Sequence, residues 1–493
     1  MSATTALLWF RRDLRLADHP ALTRALREFD RVVAVFVFDD ALLHGRFAST
    51  PRTAFMLGCL RALDEGLRER GSGLVVRHGR PADELVALAQ EADAQAVLWT
   101  SDVAPYARAR DTQVAGALRD ADIRALPQGG SYVVDVSRPR TQAGKPFTVF
   151  SPFHRYWLAL ERRTVHRAPA RLPALPSALS KGRLPSLDAL AVGGGNGVQP
   201  FREAGEPAGR AALEHWLDGP IDGYGEHHDA LGVQGTSGLS PYLRWGCLSA
   251  AECEQRAARR AGDGAQAWVR QLCWRDFYAH VLLAHPDNVR LEFQPKYREL
   301  EWADDDESLT AWREGRTGYP LVDAGMRQLA HSGWMHNRAR LVVGSFLTKD
   351  LHLDWRLGEE HFERLLLDGE PAQNNGNWQW VASVGVYPAP YFRRLFNPTL
   401  QQRKFDPDGE YVRRWVPELR DVPLARLVEP WTMSDDEQAA AGCVIGEDYP
   451  APIVDHKDER ERAIGRYRAA GGRVTVERGA SGLRRKYDPQ PPI

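Results

Sequence analysis

At 493 residues the chain is too long for one small core, which excludes a single-domain mini-protein and implies two or more domains. Its 43% hydrophobic and 26% charged residues are ordinary for a globular protein, which excludes a fibrous or disordered class. The net charge of −1 excludes nucleic-acid binding by overall basicity, so such a partner has to be held by a local basic patch.

The chain opens with Met1-Ser2-Ala3-Thr4-Thr5 and runs into Arg11, Arg12 and Asp13 without the pattern of a cleavable signal. The apolar runs Ala6 to Phe10 and Val32 to Phe38, with shorter ones at Leu74 to Val76 and Ala96 to Trp99, suit buried parallel strands. Helical patterns over Pro51 to Arg70 and Pro81 to Ala92 alternate with them. This order predicts an α/β N-terminal domain over residues 1–128 with a parallel, Rossmann-like sheet. The first strand leads into Arg11-Arg12-Asp13-Leu14 rather than GxGxxG, so the dinucleotide fingerprint is absent. From 129 to 209, Pro, Gly, Ser and Ala clusters predict a long interdomain linker draped over the surface. Residues 210–475 read as a large all-α domain, and 476–493 as a short basic tail with Arg484, Arg485 and Lys486. There is no internal repeat. No apolar run approaches the roughly 20 residues of a membrane span. Five cysteines (Cys59, Cys247, Cys253, Cys273, Cys443) with no CxxC pair or metal-ligand spacing predict buried thiols, no metal site and a reducing, cytoplasmic setting.

Four stretches of the helical half carry chemistry. In Gly235-Thr236-Ser237-Gly238-Leu239-Ser240-Pro241, Ser240 suits an N-cap and Pro241 the first helical position. Small hydroxyls beside a helix N-terminus suit an anion, although a capped helix with nothing bound has the same signature. Ser249-Ala250-Ala251-Glu252 reads as a capping box. A helix from Gln266 to Ala284 places Gln271, Trp274, Arg275 and Tyr278 three and four residues apart on one face, suited to the wall of a pocket that stacks a flat ligand. In Trp334-Met335-His336-Asn337-Arg338-Ala339-Arg340-Leu341, residues Trp334, Asn337, Arg338 and Leu341 share a face. His336 is a candidate acid or base, although a lone His with no carboxylate nearby in sequence is ordinarily structural. The fourth stretch runs from Glu370 through Asn374, Asn375 and Gly376 to Trp378-Gln379-Trp380. Its Gly suits close backbone approach to a ligand, or simply a turn into a core helix. Of 15 tryptophans, thirteen follow residue 150. HExxH, a nucleophile elbow and a P-loop are all missing, so hydrolysis and phosphoryl transfer have no support.

These motifs resemble the DNA photolyase/cryptochrome family of flavoproteins. The resemblance runs from Trp9-Phe10-Arg11-Arg12-Asp13-Leu14-Arg15-Leu16 through Tyr391-Phe392 and Phe396-Asn397-Pro398 to Tyr449-Pro450-Ala451-Pro452-Ile453-Val454-Asp455-His456. It implies an α/β antenna domain and a helical domain holding FAD. By resemblance, Tyr224, Thr236, Ser237, Gly238, Leu239 and Ser240 line the FAD phosphates and ribose. Trp268, Gln271, Arg275 and Asn337 lie near flavin and lesion. Asp368, Gly369 and Glu370 contact the isoalloxazine edge, with Arg340 paired to Asp368, and Asn374 faces flavin N5. Trp302, Trp355 and Trp378 match the electron-transfer chain, and Trp274 and Trp380 the rings that clasp the lesion. The expected DNA-binding set is Gln271, Trp274, Arg275, Tyr278, Asn337, Arg338, Trp380 and Gln401. Arg11, Asp102 and Tyr106 are the expected antenna residues.

The resemblance implies light-dependent splitting of cyclobutane pyrimidine dimers in UV-damaged DNA by a monomeric enzyme. The alternatives are a cryptochrome-type signalling flavoprotein and a (6-4) photolyase. Several positions depart from the family pattern. Gln271 stands where dimer photolyases carry Glu, and Glu370 where Asp is usual. His228 and Gly238 replace common Arg residues, and one extra Arg appears in Arg393-Arg394. The single His336 beside Asn337 favours dimer repair over the two-histidine (6-4) pattern. Tyr106 and Ala107 replace the Asn-Glu pair of folate-binding members, which favours a deazaflavin-type antenna.

Overall fold

In a computed structural model of the protein, residues 3–193, 197–386 and 390–472 are described; the basic tail from residue 476 lies outside them. Five parallel strands form one sheet in the order β3-β2-β1-β4-β5. They are β1 (Thr5–Phe10), β2 (Arg31–Phe38), β3 (Leu74–His78), β4 (Ala94–Thr100) and β5 (Arg124–Gln128). Leu8 of β1 pairs with Ala34 on one side and Leu98 on the other. Side chains alternate between the two faces of a strand, so Ala6, Leu8 and Phe10 join one core while Leu7 and Trp9 join another. Both faces are covered, which is why β1 reads as an unbroken apolar run. The fifth strand went unpredicted because Arg-Ala-Leu-Pro-Gln lacks an apolar run. It is an edge strand, where Pro127 and polar residues are tolerated.

Chain order reverses at β1, whose neighbours are β2 and β4. The C-terminal ends of β1 and β4 therefore bring Arg11, Arg12 and Asp102 together at a switch point. Arg12 Nε lies 3.2 Å from Asp102 Oδ2.

The stretch predicted as a surface linker contributes to the core. A helix at Phe150–Ala159 buries Phe150, Phe153 and Trp157 completely. Their three- and four-residue spacing is an apolar helical stripe, masked in sequence by the Gly and Pro around it. This helix joins the sheet's lower core to the helices Glu206–Leu217, Ala250–Ala258 and Asp263–Ala284. A second core is built around the helices Pro320–Ser332, Asn337–Ser345, Trp355–Leu365 and Pro371–Val381. Among the described residues, no helix is long and apolar enough to cross a membrane, and no cluster of His, Cys, Asp and Glu is arranged to hold a metal.

Candidate flavin site

Between the two cores lies a cavity of about 180 Å³, whose wall includes Tyr224, Thr236, Ser237, Gly238, Leu239 and Ser240. Trp268, Gln271, Arg275, Asn337, Arg340, Asp368, Gly369, Glu370 and Asn374 complete the predicted set in that wall. Sequence reasoning missed Leu243, Leu272, Met335, Leu366 and Gln373, which also line it. A cavity of about 590 Å³ elsewhere, walled by Leu16, Leu63, Arg70 and Arg210, exceeds it in volume. There Arg210 is neutralised by Glu252 at 2.9 Å, so volume alone does not choose the site; convergent polar groups do.

Ser240 is not an N-cap. The five-residue helix Ser240–Arg244 is preceded by Leu239 as cap, and Ser240 Oγ instead donates to Asp368 Oδ2 at 2.6 Å. Pro241 has no N–H to satisfy, so the helix starts without a side-chain cap. Arg340 Nη2 reaches the same Asp368 oxygen at 2.8 Å, as expected. Asp368 Oδ1 is left buried with no partner. Ser249 does cap the next helix, but Glu252 pairs with Arg210 rather than closing a capping box. Ser237 Oγ accepts from Trp268 Nε1 at 3.2 Å, fixing that indole in the wall.

Asn374 is held by its amide nitrogen, which donates to Glu359 O at 2.8 Å and Glu363 Oε2 at 3.2 Å. Asn374 Oδ1 is buried and unpaired. The wall thus presents two acceptors, Asp368 Oδ1 and Asn374 Oδ1, that nothing among the described residues satisfies. Such orphans are rare in native interiors and point to a ligand with donors facing them.

Glu370 is also a clamp. Its carboxylate meets Arg12 at 3.0 Å, Arg275 at 3.2 Å and the Tyr132 hydroxyl at 3.2 Å. Burial pushes its pKa up, but Arg275, Arg12 and Arg244 outweigh this and hold it below the usual carboxylate value. Arg12, two residues past the end of β1, is thereby tied to the cavity wall.

The helix predicted from Gln266 begins at Asp263, and its four-residue pocket face divides. Gln271 and Arg275 line the cavity. Trp274 is 2% exposed and stacks on Phe150, with ring centroids 3.5 Å apart and planes within 4°. Tyr278 is buried against Gly376, where a Cβ would meet its ring at 2.1 Å. Gly376 therefore makes room for Tyr278 and not for a ligand. Trp380 lies in the other core, with the Arg394 guanidinium 4.2 Å from its ring centre. Of the Arg393-Arg394 pair, Arg394 is itself buried and bonds to Trp380 O at 2.8 Å.

His336 is structural: it caps Asn337–Ser345 by accepting from Arg338 N at 3.1 Å. Burial lowers its pKa to about 4, which keeps the ring neutral. Trp334 lies flat on Phe201 at 4.4 Å. Leu341 is wholly buried, and Arg338 is buried with its guanidinium 2.5 Å from Asp229. Gln401 is half-buried, and its Oε1 has no partner. Gly238 adopts φ +61°, and a Cβ there would meet Arg202 Nη2 at 2.7 Å. Arg202, unnoticed in sequence, so brings a guanidinium to the place where the expected Arg is missing. His228 Nδ1 contacts Tyr224 O at 2.9 Å.

Family models match over residues 6–176 as a DNA photolyase domain and over 268–469 as the FAD-binding domain of DNA photolyase. A deoxyribodipyrimidine photo-lyase of Streptomyces griseus is 42% identical over 463 residues, covering 93% of this chain and 98% of the relative. The chain belongs to the DNA photolyase family. Among solved structures, a class III photolyase from Agrobacterium tumefaciens superimposes with a TM-score of 0.88 at 33% identity, covering 96% and 98% of the two chains. A cryptochrome from Synechocystis does so at 0.86 and 30%, covering 94% and 100%.

The cavity fits the FAD that this photolyase-family domain implies. Asn374 Oδ1 and Asp368 Oδ1 are free acceptors for flavin N–H groups, the Gly235–Ser240 loop offers small hydroxyls, and Arg275 and Arg340, each paired with a carboxylate of the same wall, add further donors. The three tryptophans of the expected relay belong to the second core, Trp378 and Trp355 buried and Trp302 partly buried. Trp378 packs on Gly358, where a Cβ would meet its ring at 2.1 Å, one turn along the helix that Trp355 opens. Ala303, next to Trp302, bridges Leu353, two residues before Trp355. Of the expected antenna residues, Arg11 lies 2.5 Å from Asp111, Asp102 pairs with Arg12, and the Tyr106 hydroxyl donates to Asp39 at 2.6 Å. The Tyr106 ring is 42% exposed beside Arg110.

Proposed function

We propose that the chain is a light-driven lyase that splits cyclobutane pyrimidine dimers in UV-damaged DNA, with FAD in the cavity described above. The observation that carries this reading is the pair of unpaired buried acceptors, Asp368 Oδ1 and Asn374 Oδ1, in a wall shared with Gln271 and Asn337. Bound flavin supplies light absorption and the single electron that opens the cyclobutane ring. The chain's own residues orient and exclude water. Gln271 has two amide donors for pyrimidine C4 carbonyls, where an ionised Glu has none. A dimer is poorly stacked, so turning it out of the duplex is cheap, and the flat Trp380, backed by Arg394, suits one wall of the receiving pocket. Trp274 joins that wall only if Phe150 leaves its ring face. Phosphate contacts then position the duplex without reading sequence.

Trp302, Trp355 and Trp378 carry electrons inward to reduce the flavin. Tyr106 and Ala107 in place of an Asn-Glu pair, with the exposed Tyr106 ring at the switch point, support a deazaflavin-type second chromophore rather than a folate. Five free, buried cysteines support a reducing, cytoplasmic setting, and the chain acts as a monomer.

The cryptochrome likeness gives signalling as the second reading. Reduced protein incubated under blue light with oligonucleotides carrying either a cyclobutane dimer or a (6-4) product separates the readings. Loss of the cyclobutane dimer alone supports the proposal; loss of neither supports signalling, and loss of the (6-4) product overturns the substrate assignment.

A further inference from the structure

The three relay tryptophans sit in different electrostatic surroundings. Trp378 is 1% exposed, its Nε1 has no partner among the described residues, and its ring lies against Gly358 and Gly344, with Phe362 at 4.9 Å and Trp312 at 6.2 Å. Trp302, partly buried, lies under the Arg466 guanidinium at 5.7 Å. Trp355 is wholly buried, yet its Nε1–H donates to Glu292 Oε1 at 3.2 Å, and Glu292 is 3% exposed. Arg356 reaches the same Glu292 oxygen at 2.9 Å and lies 4.7 Å from the Trp355 ring centre, but it also bonds Asp354 at 3.0 Å. The Trp355 indole N–H thus bonds directly to a carboxylate, around which lie Arg356, Asp354 and Arg298, whose Nε donates to Glu292 O at 3.1 Å.

We propose that Glu292 is a positioning residue of the photoreduction relay, a buried anion that stabilises the Trp355 radical cation and draws the hole off Trp378. This rests on reading the three tryptophans as a relay. In the step concerned, one electron passes from Trp355 to oxidised Trp378, which becomes neutral again. Trp355 is left as the radical cation, its N–H still bonded to the carboxylate. Trp302 then supplies one electron to Trp355, and a thiol in solution restores Trp302. A buried charge in a poorly screened interior acts strongly on such a step, whereas the apolar surroundings of Trp378 give the hole nothing to hold it there. Trp302, under Arg466, gains its stabilisation from solvent instead. The carboxylate makes the first outward step downhill, so that it outruns return of the electron from flavin.

Glu292→Gln tests this, because Gln keeps the volume and one acceptor oxygen for the indole N–H while removing the charge. The holoprotein with oxidised flavin is illuminated in the presence of a thiol. The expected result is a photoreduction quantum yield lowered at least about fivefold. Transient absorption is expected to show fewer long-lived tryptophan radicals. Flavin content and repair by chemically reduced protein should match the unaltered chain. Trp355→Phe is the companion variant. If it leaves photoreduction intact, the relay reading itself fails. If it abolishes photoreduction while Glu292→Gln keeps the original yield or raises it, the role of Glu292 is overturned.

Discussion

Asp368 shows how one side chain serves two ends: Oδ2 takes Ser240 and Arg340, and Oδ1 faces the cavity unpaired. Asp368→Asn removes the partner of a buried guanidinium, a change of about 3–5 kcal/mol for buried pairs. The purified variant is expected to retain less than about half the flavin per chain, read from visible absorbance against protein absorbance. Glu359, 6% exposed and bonded to Asn375, has its pKa raised by burial and by nearby Glu363 to about 8. The folded chain therefore binds a proton here that the unfolded chain releases near pH 4.5. The resulting stability is complete below that value and is lost as pH rises toward about 8. Glu359→Gln should raise the melting temperature at pH 8 more than at pH 5, and an equal shift at both would show that Glu359 is charged when folded. At this scale the sequence made the Arg340–Asp368 pair and the cavity wall legible, because motif residues sit on short, well-defined elements. It concealed Arg202, which arrives from the linker, and it misjudged Ser240, whose hydroxyl had a better acceptor than its own helix.

At the level of elements, the helix Phe150–Ala159 decides how the two halves join. Phe150 is wholly buried and lies face to face with Trp274. Phe150→Ala should cost roughly 3–5 kcal/mol of stability, measured by urea unfolding. It should also expose Trp274, seen as a red shift in tryptophan emission; unchanged emission would mean that the stack does not shield that indole. The strands β1 and β2 were readable because burial on both faces demands continuous apolar runs. The linker helix and β5 were not, since Gly and Pro around the first and the polar edge position of the second erase the periodicity that identifies them. The same limit split the 263–284 helix: spacing grouped Trp274 and Tyr278 with Gln271 and Arg275, but only neighbouring helices determine where each side chain ends.

For the whole molecule, the α/β domain also supports the cavity of the helical half. Arg12 from β1's end grips Glu370, and Arg52 from the helix Thr50–Glu69 lies 3.2 Å from Glu363, which in turn holds Asn374. Both partners border the cavity or its supporting shell, so the sheet helps to hold the flavin wall in place. This coupling was not legible in sequence, because its members lie more than three hundred residues apart. On the proposed reading, the electron relay and the repair site share the flavin but make separate demands on the chain. Trp302→Phe should slow photoreduction while leaving repair by chemically reduced protein intact. The most direct test counts cyclobutane dimers remaining in an oligonucleotide after blue light, for the reduced chain and its Trp302→Phe variant beside dark controls. Dimers should disappear in the light alone and equally for both proteins; dimers that persist in the light with fully reduced flavin would contradict the assignment.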